Sequence, residues 1–105
     1  MKKAFVFLAT GFEEIEALGT VDILRRGGVD VKTVSITGEL KVAGAHGIEI
    51  MADILFAEAD FTNVDAMVLP GGMPGSNNLN DCDPLREQLI KQYKEGKIVA
   101  AICAA

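Results

Sequence analysis

The chain has 105 residues, of which 50% are hydrophobic and 24% charged, the composition of one globular domain and not of a disordered chain. Fifteen acidic against ten basic residues give a net charge of −5. This acidic balance argues against a membrane surface or a sequence-specific nucleic-acid site, because both need clustered positive charge. The N-terminal apolar run is too short for a secretory signal or a membrane span, so we expect a cytoplasmic protein.

The first third of the chain predicts a strand, a helix and a second strand. Ala4–Ala9 is a continuous apolar run, typical of a strand that is covered on both faces in a parallel sheet. Glu13–Arg26 predicts a helix, with acidic residues in its first turn and glycines after its end. Val29–Ile36 is rich in Val, Thr and Ile and predicts the next strand, which completes a right-handed βαβ unit. The helix residues expected to face the core are Ile15, Leu18, Val21 or Asp22, and Leu24.

The rest of the chain continues this alternation after one departure. Thr37–Met51 sets apolar residues between glycines and predicts a short antiparallel hairpin off the main sheet, and Asp53–Phe61 has room for one helical turn. Ala66–Leu69 and Ile98–Ile102 predict strands. Between them we expect a short helix from Gly75 to Leu79 and a longer one that ends at Gly96. For the longer helix we expect Asp83 as N-cap, Pro84 at the first position, and a buried face of Leu85, Leu89, Ile90 and Tyr93.

Alternating strands and helices predict a doubly wound α/β sheet, whose ligands bind beyond the carboxyl ends of the strands. Three loops lie at that edge: Thr10–Glu16, Pro70–Asn77 and Cys103–Ala105. The sequence stops two residues past a strand, where the next helix should begin. We therefore expect residues 1–105 to form a single α/β domain that is truncated or cleaved at this point. The alternative is a complete four-stranded mini-domain.

Cys103 is the candidate nucleophile. It follows the last strand in Ala101-Ile102-Cys103-Ala104-Ala105, and the residues two before and two after it are small, as the close backbone approach of a nucleophile elbow requires. A helix that begins at Cys103 would direct backbone N–H groups at the sulfur and favour the thiolate. The alternative is a buried, inert cysteine.

Two further groups are expected at the same edge. Gly71-Gly72 follows a strand end, where backbone N–H groups can face an anion, although the pair by itself indicates only a tight turn. Together with the elbow, the N–H groups of Gly72 and Ala104 form a candidate oxyanion site. Glu16, on a partly buried side of the first helix, could donate a hydrogen bond to the sulfur and serve as a proton shuttle. Glu13 and Glu14 are interpreted as partners of the helix dipole.

The other potentially reactive residues predict no site. Cys82 lies between Asp81 and Asp83, whose charges oppose thiolate formation, and we interpret it as a surface or partly buried thiol. The single histidine, His46, is interpreted as an exposed turn residue of the hairpin. The two cysteines fit no metal pattern and no disulfide framework, and no glycine-rich dinucleotide or triphosphate motif occurs. We therefore expect neither a metal nor a cofactor.

Three segments together resemble the ThiJ/PfpI superfamily: Gly11-x-Glu13-Glu14-x-Glu16, Leu69-Pro70-Gly71-Gly72 and Ala100-Ala101-Ile102-Cys103-Ala104-Ala105. They occur in the family's order along essentially the whole chain. The branch they resemble most is that of the Parkinsonism-associated protein deglycase and its YajL-like bacterial relatives. The resemblance implies a flavodoxin-like fold and a homodimer, with Asp22 of the first helix near the dimer interface.

The resemblance also implies roles for named residues. It places the reactive cysteine at Cys103, its protonated glutamate partner at Glu16, and the oxyanion N–H groups at Gly72 and Ala104. It further implies that Cys103 is readily oxidised to a sulfinate that Glu16 stabilises. Two departures matter. Ala104 stands where protease-like and amidotransferase-like relatives carry histidine, which disfavours peptidase or amidase activity, and the family's candidate catalytic histidine lies beyond residue 105.

Two functions from different classes follow. The first, which the resemblance implies, is a cysteine-dependent glyoxalase or deglycase acting on reactive aldehydes such as methylglyoxal, or on their adducts with other groups. The second is a non-enzymatic oxidative-stress sensor or chaperone-like protein in which oxidation of Cys103 is the signal. The same residues serve both, so the sequence does not choose between them. A role in thiamine metabolism reflects only the family's older name, and no residue indicates it.

Overall fold

The computed structural model describes residues 2–102, and the structural statements below concern these residues. In chain order, the elements are β1 (Lys3–Leu8), α1 (Glu14–Arg26), β2 (Asp30–Ser35), β3 (Lys41–Ala43), β4 (Glu49–Met51), β5 (Ile54–Leu55), a 3₁₀ turn (Phe56–Glu58), β6 (Ala66–Leu69), α2 (Gly75–Asn80), α3 (Asp83–Lys94) and β7 (Ile98–Ala101).

The main sheet is parallel throughout, with the strand order β5-β2-β1-β6-β7. Strands β3 and β4 form a separate antiparallel hairpin. The expected doubly wound α/β sheet with a hairpin excursion is therefore confirmed. The sequence pattern missed only β5, which has two residues and pairs with the end of β2 at the edge of the sheet. A strand of two residues is too short to show the apolar pattern by which strands are recognised in a sequence.

The central position of β1 in the sheet explains why its sequence is apolar without interruption. Val6 and Leu8 belong to the core on one face of the sheet, together with Ala17 and Val21 of α1. The alternate residues Phe5 and Phe7 belong to the core on the other face, with Leu79 of α2 and Leu85 of α3. Because successive side chains of a strand point to opposite faces, both sets must be apolar when helices cover both faces.

The buried face of α1 differs from the expected one. Ala17 is fully buried and Val21 nearly so, whereas the side chains expected inside at Ile15 and Leu18 are 80% and 39% exposed. Of the two alternatives, Val21 is the buried residue and Asp22 is exposed, and Leu24 packs partly against the core as expected. The helix approaches the sheet through its smaller side chains, and this face also includes the buried Glu14.

Helix α3 requires two corrections. It begins at Asp83, so Cys82 and not Asp83 occupies the N-cap position, without a side-chain capping hydrogen bond. Leu85 is fully buried, but the expected core residues Ile90 and Tyr93 are 53% and 77% exposed. Gln92 takes the inner position instead, because its side-chain amide donates to the carbonyls of Val64 (3.0 Å) and Ile98 (3.4 Å). Satisfied hydrogen bonds allow a polar side chain in the core.

The last strand lies at the edge of the sheet. Within the described residues β7 pairs only with β6, and Ile98 and Val99 are 61% and 38% exposed. An apolar groove of about 670 Å³ runs beside it, with Leu24, Val68, Ala100 and Ile102 in its lining. No helix within residues 2–102 is long and apolar enough to cross a membrane.

Candidate functional site

The order of the strands creates a crevice at the carboxyl edge of the sheet. Strand β1 pairs with β2 on one side and β6 on the other, so the chain leaves β1 and β6 in different directions, as at other ligand-binding switch points. The two loops meet across this crevice. The N–H of Glu13 donates to the carbonyl of Gly71 at 2.9 Å, and the N–H of Gly75 donates to the carbonyl of Gly11 at 3.1 Å.

Glu16 lies in this crevice. Helix α1 begins at the crevice, and the partly buried carboxylate of Glu16 accepts the N–H of Gly71 at 2.9 Å through Oε1. The structure therefore brings the predicted acid of α1 against the predicted glycine loop, across 55 residues of sequence. No local pattern predicts such a contact, which depends on the topology of the sheet.

Gly72 occupies a position that only glycine fits. Its φ is +102°, and an added Cβ would lie 2.5 Å from the backbone nitrogen of Glu13. Its carbonyl accepts the N–H of Ser76 at 2.8 Å. The N–H of Gly72 has no acceptor among residues 2–102, whereas that of Gly71 is bound to Glu16. Within the described residues, Gly72 is therefore the glycine of the pair whose backbone N–H is not already used in a hydrogen bond.

Cys103 and Ala104 lie outside the described residues, so their roles as nucleophile and oxyanion donor stay predictions. The structure describes the chain up to Ile102, whose N–H donates to the carbonyl of Leu69 at 3.0 Å. Leu69 is also the register partner of Ala101 in the β6–β7 ladder. Strand β7 thus leaves the sheet beside the strand that leads into the Gly71-Gly72 loop, and at the same edge.

The first turn of α1 uses its three acids differently. Glu13 is the N-cap residue, and its carboxylate accepts the N–H groups of Ile15 (2.6 Å) and Glu16 (3.4 Å), which agrees with its expected role at the helix terminus. For Glu14 that interpretation was incomplete. Glu14 is only 4% exposed, and its carboxylate accepts the N–H groups of His46 (2.8 Å) and Ile48 (3.3 Å) from the hairpin.

His46 has an exposed ring in the hairpin turn, as expected, but it also binds Glu14. Its ring is 68% exposed, and Nδ1 lies 2.8 Å from Oε1 of Glu14 and 4.0 Å from Oε2 of Glu13. The sequence carried no signal for this pair, because residues 14 and 46 meet only when the hairpin folds over α1. Cys82 is partly buried, as expected.

Glu14 and His46 shift each other's pKa. Burial by itself raises the pKa of Glu14, but hydrogen bonds from the His46 side chain, the backbone N–H groups of His46 and Ile48, and its own backbone outweigh burial and lower the pKa to about 2. The hydrogen bond and the negative charge of Glu14 raise the pKa of His46 above its usual value, with a further contribution from Glu13. Within residues 2–102, no group of three or more His, Cys, Asp or Glu is arranged to hold a metal ion.

Comparison with known proteins identifies the family of this chain. The sequence matches the model of the DJ-1/PfpI family over residues 2–105. The chain belongs to the DJ-1/PfpI family. This membership confirms the resemblance stated from the motifs, and the DJ-1 fold accounts for the five-stranded parallel sheet.

Several DJ-1 relatives match almost the whole chain. Protein DJ-1 homolog B of Arabidopsis thaliana is 40% identical over 104 residues, which are 99% of this chain and 24% of that protein. A glutathione-independent glyoxalase of Caenorhabditis elegans is 37% identical over 92 residues, which are 88% of this chain and 48% of that protein. The structure of oxidized Toxoplasma gondii DJ-1 matches with a TM-score of 0.95 and 36% identity, covering 99% of this chain and 56% of that one. The chain thus spans about half or less of these relatives.

The close contact at Gly72 generates a prediction about stability. We expect Gly72→Ala to lower the free energy of unfolding by roughly 2–4 kcal/mol, because a positive φ is costly for alanine and the new Cβ would also overlap the backbone of Glu13. Gly38→Ala is the matched control, since Gly38 has a similar φ of +90° with open space around it. Urea unfolding of both variants measures the difference. Equal losses in the two variants would contradict the close packing at Gly72.

Proposed function

We propose that this chain carries the site of a cysteine-dependent glyoxalase or deglycase-like enzyme, with Cys103 as nucleophile. The observation that supports this most is the bond between Glu16 and the N–H of Gly71, which holds a partly buried carboxyl group beside the available N–H of Gly72. A general acid and an oxyanion donor side by side suit the addition of a thiolate to a carbonyl. The relative named as a glutathione-independent glyoxalase supports an aldehyde substrate.

The first step is addition. The thiolate of Cys103 attacks the aldehyde carbon of methylglyoxal, a C–S bond forms, and the π electrons of the C=O bond move to oxygen. The N–H groups of Gly72 and Ala104 stabilise this alkoxide, since fixed donors need little reorganisation as charge develops. Glu16 then gives the alkoxide its proton, which yields a hemithioacetal.

The remaining steps need only water as co-reactant. A proton leaves the hemithioacetal carbon and another is returned to the neighbouring carbon, so the aldehyde carbon is oxidised to a thioester while the adjacent ketone is reduced to an alcohol. Water then cleaves the thioester, releasing a 2-hydroxy acid and the thiol of Cys103. No external oxidant or reductant is consumed. In the deglycase variant, the thiolate of Cys103 displaces the amine or thiol from the carbinol carbon of an aldehyde adduct. The new C–S bond forms as the bond to that group breaks, the departing group takes up a proton, and the resulting hemithioacetal follows the same proton transfers and hydrolysis.

A redox sensor is the second candidate. Its support is the Toxoplasma gondii relative, which was solved in an oxidized form. In this function, peroxide oxidises the thiolate of Cys103 through the sulfenate to the sulfinate, and a protonated Glu16 donates a hydrogen bond to the sulfinate. The oxidised protein, and not a reaction product, then carries the signal.

Methylglyoxal turnover by the unmodified protein, and its dependence on Cys103, separate the two candidates. We expect Cys103→Ala to reduce methylglyoxal turnover by the full-length protein at least about a thousandfold, because it removes the nucleophile. Cys82→Ala is the matched control and should retain full turnover. D-lactate or L-lactate release measures the activity. Absence of turnover in the unmodified protein, together with peroxide-dependent sulfinate on Cys103, would reject the enzyme and favour the sensor.

The role of Glu16 is tested independently of turnover. We expect Glu16→Gln to make stable conversion of Cys103 to the sulfinate more difficult, because the amide N–H replaces the short O–H hydrogen bond of the carboxyl group with a longer one. Intact-mass and peptide mass spectrometry after mild peroxide treatment give the ratio of sulfinate to higher oxidation states. Glu58→Gln, which neutralises an acid of the 3₁₀ turn, is the control for charge. An unchanged oxidation profile in Glu16→Gln would reject Glu16 as the partner of the sulfur.

We further propose a homodimer formed through α1. The outer side of this helix carries large apolar side chains, with Ile15 at 80% and Ile23 at 69% exposed, and Asp22 is exposed beside them. Exposed apolar residues concentrated on one element are typical of an interaction surface.

A single charge on this surface tests the dimer. We expect Ile15→Glu to weaken self-association by about tenfold or more, since it would bury a charge without a partner. Ile90→Glu, at a 53% exposed isoleucine on α3, is the matched control and should leave the dimer intact. Analytical ultracentrifugation over a concentration series measures both. Equal dissociation constants for the two variants, or a monomeric parent protein, would reject this interface.

A further inference from the structure

One pair of side chains ties the hairpin to the helix that carries Glu16. The turn between β3 and β4 lies over the first turn of α1, where the carboxylate of Glu14 accepts two backbone N–H groups of the hairpin and contacts Nδ1 of His46 at 2.8 Å. Gly44 faces this carboxylate so closely that a Cβ would overlap the Glu14 side chain. Only 6% of the Glu14 side chain is exposed. We call the contact of Glu14 with His46 the clasp.

Backbone hydrogen bonds continue from the hairpin to the crevice. The N–H of Gly11 donates to the carbonyl of Ala43 at 2.8 Å, and the N–H of Ala45 donates to the carbonyl of Phe12 at 2.8 Å. The segment 11–13 therefore lies between two partners. On its other side the N–H of Glu13 donates to the carbonyl of Gly71. Segment 11–13 is thus hydrogen-bonded to the hairpin on one side and to the glycine loop on the other.

We infer that Glu14 and His46 are positioning residues for the glycine loop, and that the protonation state of His46 sets how firmly the hairpin holds segment 11–13. Neither residue is assigned a contact with substrate. Their role in catalysis rests on the function proposed above, whereas their hold on the hairpin does not, so the two can fail separately.

The physical basis is a charge-assisted hydrogen bond. A protonated, positively charged imidazole donates to the negatively charged Glu14 carboxylate. Hydrogen bonds that involve ionised groups are about twice as strong as those between neutral groups. After deprotonation the neutral ring can still donate from Nδ1, but without its charge. The acids that face His46 and raise its pKa are Glu14 and, at longer range, Glu13, both from α1.

The signs of the two shifts define a pH window. The lowered pKa of Glu14 contributes stability above about pH 4.5, which is lost as the pH falls toward 2. The raised pKa of His46 contributes stability that is complete below about pH 6.5 and is lost as the pH rises through the pKa of the folded state. Both contributions are therefore present between these limits, and the clasp weakens as the pH rises through the raised pKa of His46.

Amide hydrogen exchange of the 105-residue chain, measured by NMR from pH 5.5 to 8.5, tests this inference. Protection factors, which remove the intrinsic pH dependence of exchange, are compared for Ala45, His46 and Ile48. We expect them to fall roughly fivefold as His46 deprotonates, because the bond to Glu14 is weakened when its donor loses the positive charge. The amide chemical shift of Gly71 should follow the same midpoint as the His46 ring.

Three variants of exposed hairpin residues complete the test. His46→Lys keeps the positive charge over this range and should give protection that does not vary with pH. His46→Phe should show the weakened protection already at pH 5.5. Lys41→Gln removes one positive charge elsewhere on the hairpin and should behave like the parent chain. Protection in the parent chain that is independent of pH, or that equals the protection of His46→Phe at pH 5.5, would overturn the clasp. A Gly71 shift that ignores the His46 titration would overturn the positioning role.

Discussion

The site depends on close contact between the loop after β6 and the first turn of α1. The two backbones approach so closely that residue 72 has no room for a Cβ. The N–H of Glu13 donates to the carbonyl of Gly71, and the N–H of Gly71 donates to the carboxylate of Glu16. This pair of bonds fixes the acid and the glycine loop relative to each other.

Such fixed donors matter for the chemistry of a thiolate. A backbone N–H that is already in place stabilises a developing alkoxide without first reorganising solvent or side chains. Fixed backbone donors also suit a sulfinate, which likewise carries its negative charge on oxygen atoms. Because of this common requirement, the two proposed functions place the same demands on the crevice, and they differ in the fate of the sulfur.

Helical geometry separates the three acids of α1. Successive residues of a helix are rotated by about 100°, so Glu13 caps the helix, Glu14 points toward the hairpin and Glu16 points into the crevice. Glu14 shares its face with the buried Ala17 and Val21. A carboxylate is stable there because three hydrogen-bonding groups of the hairpin surround it, and a buried charge without such partners would be strongly unfavourable.

The sequence by itself determined the α/β alternation, the two-faced burial of β1, the hairpin and the family, because these depend on local periodicity and on short motifs. It also identified Glu16 and the glycine pair as candidates. Only the tertiary structure decided that Glu16 binds Gly71, that Glu14 holds the hairpin through His46, and that Gln92 replaces Tyr93 in the core. Each of these joins residues from different elements, and their partners become defined only when the sheet order brings the elements together.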